Sequence, residues 1–130
     1  MAIPQLVAAS GRLSSFGAVG GKRIGVMLTT NGGNNWTLLA TNAFANENLT
    51  SVAARSNILM TASDSAWAGG SGSGLFRSVN FGTSFTRISG GSGLSAGSVS
   101  DLVGDPLNLD RFYAAVRTIS IFRSDNTGAT

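Results

Sequence analysis

The chain has 130 residues, one domain's worth, with 18 Gly, twice the usual share, and only 12% charged residues. Apolar residues make up 42% and the net charge is +3, a balance that excludes intrinsic disorder. There is no Cys and no His, which excludes disulfides, thiolate or imidazole metal sites, a cysteine nucleophile and Ser-His-Asp hydrolysis.

The opening Met1 to Ser10 lacks a basic stretch and a full apolar core, so no signal peptide is visible, and no apolar run reaches the ~20 residues of a membrane span. Gln5 to Ala9 reads as a strand and Ser10 to Arg23, rich in Gly and Ser, as a long loop. Gly25 to Leu28 is an apolar run ending in Thr29-Thr30-Asn31-Gly32-Gly33-Asn34-Asn35-Trp36. Leu49 to Arg55 and Ile58 to Ala62 read as a hairpin around Ser56-Asn57. Gly69 to Gly74 is a loop that opens no helix, so it is not a phosphate-binding loop. Gly74 to Arg77 leads into Ser78-Val79-Asn80-Phe81-Gly82-Thr83-Ser84-Phe85. Ser98 to Val103 and Arg111 to Val116 read as strands joined through Pro106, which belongs outside a sheet. Ile121 to Arg123 then leads into Ser124-Asp125-Asn126-Thr127-Gly128.

Three segments thus share an apolar run followed by Ser/Thr-x-Asn-x-Gly, and in the first two an aromatic follows three residues later. Thr29, Ser78 and Ser124 are separated by 49 and 46 residues. A period in the forties with strand-like flanks is that of propeller blades, each a four-stranded antiparallel sheet. The motif has a mechanical role: Asn closes a turn on backbone N–H groups, Gly supplies positive φ, and the aromatic anchors the outgoing strand. Thr29, Asn31, Gly33 and Trp36, then Ser78, Asn80, Gly82 and Phe85, then Ser124, Asn126 and Gly128 are accordingly expected to be structural, with Trp36 buried. Repeats are placed at about 1–41, 42–89 and 90–130, with some ten strands in one unit spanning 1–130.

The three segments resemble the Asp-box, or bacterial neuraminidase repeat, with Asn for Asp throughout and Phe for Trp in the second. Asp101-Leu102-Val103-Gly104-Asp105-Pro106, Arg111-Phe112-Tyr113-Ala114-Ala115 and Ile121-Phe122-Arg123-Ser124 are similar to blades of sortilin-like, xyloglucan-hydrolase-like and photosystem II assembly factor-like propellers. The resemblance implies a β-propeller whose boxes lie at the outer blade edges, away from the central channel. It also leans towards an extracytoplasmic location. The expected fold is all-β: a β-propeller segment of about two and a half four-stranded antiparallel blades with Asp-box-like hairpins.

Catalysis by a glycoside hydrolase needs two carboxylates flanking the bond. Asp64, Asp101 and Asp105 fall near strand ends, Glu47, Asp110 and Asp125 in turns, and no spacing pairs them. A sialidase also needs arginines and a Tyr; Arg55 and Tyr113 are present without a surrounding motif, so no catalytic residue is assigned. No cofactor and no metal site is expected. Arg77 and Arg123 hold equivalent places and read as solvated strand positions whose stems cover apolar neighbours. Trp67, in a Gly-rich loop, reads equally as a contact residue or as packing. The nine cations are scattered, against nucleic-acid binding.

A ring needs roughly four to eight blades, so the chain is expected to be a fragment of a larger propeller or to self-associate to complete one. The functional expectation is a non-catalytic scaffold or binding module for protein or glycan partners. The alternative is part of an exported glycoside hydrolase, sialidase-like or xyloglucan-active, with some catalytic carboxylates outside this segment.

Overall fold

The computed structural model describes residues 5–11, 23–40, 43–44, 47–64 and 72–130. Trp67, most of the loop expected at Ser10 to Arg23 and the first half of that at Gly69 to Gly74 lie outside the described residues. No helix occurs among the described residues, hence none long and apolar enough to cross a membrane.

Among the described residues, ten strands form three antiparallel sheets: β1 (Leu6–Ala9), β2 (Val26–Thr29) and β3 (Thr37–Leu39); β4 (Leu49–Arg55), β5 (Ile58–Ser63), β6 (Gly74–Ser78) and β7 (Thr86–Arg87); β8 (Val99–Gly104), β9 (Phe112–Val116) and β10 (Ser120–Ser124). Within each sheet, sequence neighbours are spatial neighbours, the up-and-down order of a propeller blade. The fold is all-β, a propeller segment of about two and a half blades. Pro106 sits between β8 and β9, outside both, as its missing N–H requires.

The repeat is visible in three dimensions. Register places β1, β5 and β9 in one blade position, β2, β6 and β10 in the next, and β4 and β8 at the first edge of their sheets. β4 and β8 carry the same bulge, between Leu49 and Ser51 and between Val99 and Asp101. Alternation sends one face of each strand to one neighbouring sheet and the other face away. Met60, Ala62 and Leu75 meet Val99, Leu102, Phe112, Ala114 and Val116 in a core between the second and third sheets. Val26, Phe44 and Leu49 form a smaller one between the first and second, with Phe76 and Phe85 against it.

Polar bonds between the second and third sheets join residues about one repeat apart. Thr50 Oγ1 donates to the Val99 carbonyl (2.9 Å), Ser51 Oγ to Asp101 Oδ1 (2.9 Å), and Arg55 Nη2 to the Asp105 carbonyl (3.2 Å). The same step of the sequence therefore recurs as the same step in space.

Candidate functional site

The three motif turns are built alike. Thr29 Oγ1 donates to Asn31 Oδ1 (2.8 Å) and accepts from the N–H groups of Asn31 (3.3 Å) and Gly33 (3.0 Å). Ser78 Oγ makes the same three bonds to Asn80 and Gly82, and Ser124 Oγ to Asn126 and Gly128. The Asn oxygen then accepts a further N–H four residues beyond the hydroxyl's own partner: Asn35, Ser84 and Thr130 respectively, at 2.9, 3.0 and 2.9 Å. Only an acceptor oxygen is needed there, which the Asn amide supplies. The amide nitrogens of Asn80 and Asn126 add bonds to Ser84 Oγ and Thr130 Oγ1.

Gly82 and Gly128 hold φ of +81° and +76°, and a Cβ on them would lie 2.4 Å from Leu39 Cδ1 and 2.6 Å from Met60 Cε. Each of these turns thus presses on the preceding sheet. Gly33, at φ +96°, has nothing within 4 Å of such a Cβ among the described residues.

The aromatics of the motif differ. Phe85 meets Phe44 edge-on at 4.9 Å between ring centres, and Phe44 meets Phe76 at 5.2 Å. Trp36 is 43% exposed, which corrects the expectation that it is buried. Phe85 is half-buried because Phe44, in the segment joining the first and second sheets, packs against it.

The candidate catalytic residues are placed by the fold but not assembled by it. Asp101 lies within β8, accepting from Ser51 Oγ and from its neighbour's N–H. Asp105 caps the following turn through the N–H groups of Leu107 (2.8 Å) and Asn108 (3.2 Å), with the Leu107 bond the main cause of a carboxyl held below its usual range. Asp125 is held low chiefly by the hydrogen bond from Arg111 Nε (2.6 Å), with Arg123 Nε 2.9 Å from its other oxygen. Asp110 is exposed in the turn before Arg111. Arg55 stacks 5.5 Å above the inward ring of Phe112, whereas Tyr113 points to the opposite face, so those two are not brought together.

Two acids are buried at the end of the second sheet opposite the motif turns. Glu47 is 7% exposed, not the open turn residue its sequence suggested, and accepts from Ser63 Oγ at 3.0 Å. Gly72 gives it room: a Cβ there would lie 3.0 Å from Glu47 Oε1. Asp64, 3% exposed, is ion-paired through Oδ2 to Arg117 of the third sheet, while its Oδ1 is buried without a partner. Asn48, 6% exposed, ties the two acids' segments together, its carbonyl accepting from Asp64 N and its amide donating to Asp64 O. Nothing in the sequence brings the segments of residues 47–48 and 63–64 together; the β4–β5 register does.

Arg77 is not simply solvated. Its Nε donates to the Thr127 carbonyl (2.7 Å) and its Nη2 to Thr127 Oγ1 (3.3 Å), so it seats the third motif turn on the second sheet. Register then shows where the same arrangement recurs. The face of the second sheet buried by the third carries Ala53, Met60, Ala62, Leu75 and Arg77. The outward face of the third sheet carries Val103, Tyr113, Ala115, Ile121 and Arg123 at the same blade positions. There Val103 is 52% exposed and Ile121 71%.

No protein-family model matches the chain, and no curated protein matches it. Among solved structures, YCF48 bound to a D1 peptide is similar, with a TM-score of 0.53, 17% identity and 81% of this chain covered. The matched part is 32% of that structure's chain. The likeness is one of fold, the β-propeller.

Proposed function

We propose that this chain is a non-catalytic binding or scaffold module, a segment of a larger propeller assembly whose partners are proteins. The observation that carries it is the outward face of the third sheet, which repeats in residue position the face that the second sheet uses to receive its neighbour. An exposed apolar patch flanked by polar groups is a usual mark of a protein interaction site. Repeats 1–41, 42–89 and 90–130 are read as successive blades, and their Asn-containing turns as Asp-box-type elements that serve the fold. The solved neighbour, which holds a peptide, is compatible with a protein partner.

A second copy is the simplest partner, because its Gly33 turn has open space on the side where Gly82 and Gly128 press on a sheet. Such a head-to-tail contact closes into a ring or runs on. Light scattering after size exclusion, over a range of concentrations, tests it. The wild-type chain is expected to show a discrete oligomer and Ile121→Glu, at an exposed position, a monomer. Equal masses for both at every concentration would overturn the reading.

The glycoside hydrolase alternative has one observation in its favour, the burial of both Glu47 and Asp64 at one end of the second sheet. Their partners speak against it, since Arg117 on Asp64 Oδ2 and Ser63 on Glu47 Oε2 tie both acids into the fold. Turnover of an aryl glycoside by this chain, lost in Asp64→Asn, would decide for the hydrolase.

A further inference from the structure

The three motif turns share one hydrogen-bond scheme, yet the first differs from the others at the atoms around its Asn. The residue after that Asn is Gly32, Phe81 or Thr127, each with positive φ: +69°, +56° and +57°. Phe81 N donates to the Asn57 carbonyl (3.0 Å) and Thr127 N to the Asp110 carbonyl (2.7 Å). Among the described residues no acceptor takes the Gly32 N–H. Asn80 and Asn126 also tie down their amide nitrogens, on Ser84 Oγ (2.9 Å) and Thr130 Oγ1 (2.7 Å). The first turn has Asn35 at the matching place, and Asn31 Nδ2 donates to no described residue. What all three retain is the held oxygen: Asn31 Oδ1 accepts from Thr29 Oγ1 (2.8 Å) and Asn35 N (2.9 Å).

These differences bear on one reaction. Asn is among the chemically labile residues of proteins. Its side-chain carbonyl carbon is an electrophile, and the next residue's backbone nitrogen is the nucleophile that closes a five-membered ring on it. A Cβ on that next residue crowds the approach, and glycine has none. A backbone N–H that already donates must first give up its acceptor, and an amide nitrogen that already donates is held against leaving. Two donors on Oδ1 draw electron density from Cγ and sharpen its electrophilicity. Asn31-Gly32 is the only Asn-Gly pair in the chain, and Gly32 is exposed to water. The neighbouring Asn residues lack these conditions: Asn34 is followed by Asn35, whose N–H is engaged, and Asn35 by the bulky Trp36.

We infer that Asn31 is a self-modification site, at which the folded chain loses ammonia and converts one motif turn to an acidic form. The Gly32 nitrogen gives its proton to a base in solution and bonds to Asn31 Cγ. The Cγ–Nδ2 bond breaks, and the departing nitrogen takes up a proton and leaves as ammonia. Water then opens the cyclic imide. Opening at Cγ gives aspartate; opening at the backbone carbonyl carbon gives isoaspartate, with the main chain rerouted through the side chain. No electrons are transferred, and water is the only co-reactant. The aspartate form keeps an acceptor oxygen for Thr29 Oγ1 and Asn35 N, so it preserves the turn. The isoaspartate form adds a carbon to the main chain ahead of Gly33, whose N–H is held by Thr29 Oγ1 at 3.0 Å, so it loosens the β2–β3 connection. Both forms add a negative charge to a chain of net charge +3.

The three turns serve as one another's controls. The full chain is held folded in mildly alkaline buffer, and samples taken over time are digested and mapped by mass spectrometry, with fragmentation assigning each Asn. Asn31 is expected to convert at least about tenfold faster than Asn80 or Asn126, a barrier difference of about 1.4 kcal/mol. Its rate is expected to rise with pH, because the attacking nitrogen must lose its proton. The same sampling in urea separates fold from sequence: Asn80 and Asn126, released from their bonds, are expected to speed up, while Asn31 converts in both states. Conversion of Asn31 only in urea, a folded-state rate no greater than that of Asn80 and Asn126, or a rate indifferent to pH would each overturn the inference. Asn31→Asp is expected to unfold at the temperature of the parent chain; a much lower temperature would overturn the preserved turn. The rate comparison uses the unaltered chain throughout, so it does not turn on a variant's folding.

Discussion

Phe85 and Trp36 hold the same place in their motifs and live in different surroundings. Phe85 contacts Phe44, itself 1% exposed, whereas Trp36 is 43% exposed. Phe85→Ala is expected to cost about 2–4 kcal/mol, the range for a large ring leaving a packed site. Trp36→Ala is expected to cost about 1 kcal/mol or less, as at open positions. Urea unfolding of the two variants gives both numbers; equal costs would mean that the ring's burial does not set its contribution. The motif itself was legible in the sequence, because hydroxyl, amide and glycine act within five residues of one another. Whether its aromatic is covered was not, because that depends on the sheet alongside.

At the scale of elements, the turns around β8–β10 are tied by charge. Arg111 bridges Asp105 (3.6 Å) and Asp125 (2.6 Å), and Arg123 adds a second contact to Asp125. Both carboxyls are held below their ordinary range, Asp125 mainly by the Arg111 hydrogen bond and Asp105 mainly by the Leu107 N–H. A carboxyl lowered in the folded state binds fewer protons there than in the unfolded chain. Its stabilisation is therefore complete above the unfolded value of about 3.9 and is lost as pH falls through the lower folded value. Thermal unfolding between about pH 5 and 2 should show this loss, and Asp125→Asn should flatten part of the slope while adding salt weakens the wild-type effect. An unchanged slope would remove Asp125 from the account. The hairpin β4–β5 and the strand pair β8–β9 were legible in sequence from alternation and turn residues. β7, with only Thr86–Arg87, is identified by pairing more than by pattern.

For the whole molecule, the second and third sheets are clamped at both ends. Arg77 holds Thr127 at the motif end, and Asp64 holds Arg117 at the other. The Asp64 side chain is 4% exposed and that of Arg117 41%, so the two ends of the pair are not equivalent. Arg117→Ala leaves a buried carboxylate without its counter-charge and is expected to cost about 3 kcal/mol or more. Asp64→Asn leaves an arginine that water can reach and is expected to cost less; calorimetry of both variants orders them. Glu47 shows why this end was illegible: as a residue it reads as a turn acid, and only the pairing of Leu49 with Ser63 brings it under cover against Ser63 Oγ. The repeat period, by contrast, made the architecture readable, because it appears in the chain before any contact is made.

Among the described residues the two inter-sheet cores are unequal, with eight buried residues between the second and third sheets and three between the first and second. In an array where each unit touches only its neighbours, cooperativity is only as strong as the weakest junction. Pulled from its first residues, or diluted in denaturant, this molecule should therefore surrender β1–β3 as an early, separate step. The seven remaining strands would persist as the folding seed, on which the first sheet is a late and reversible addition.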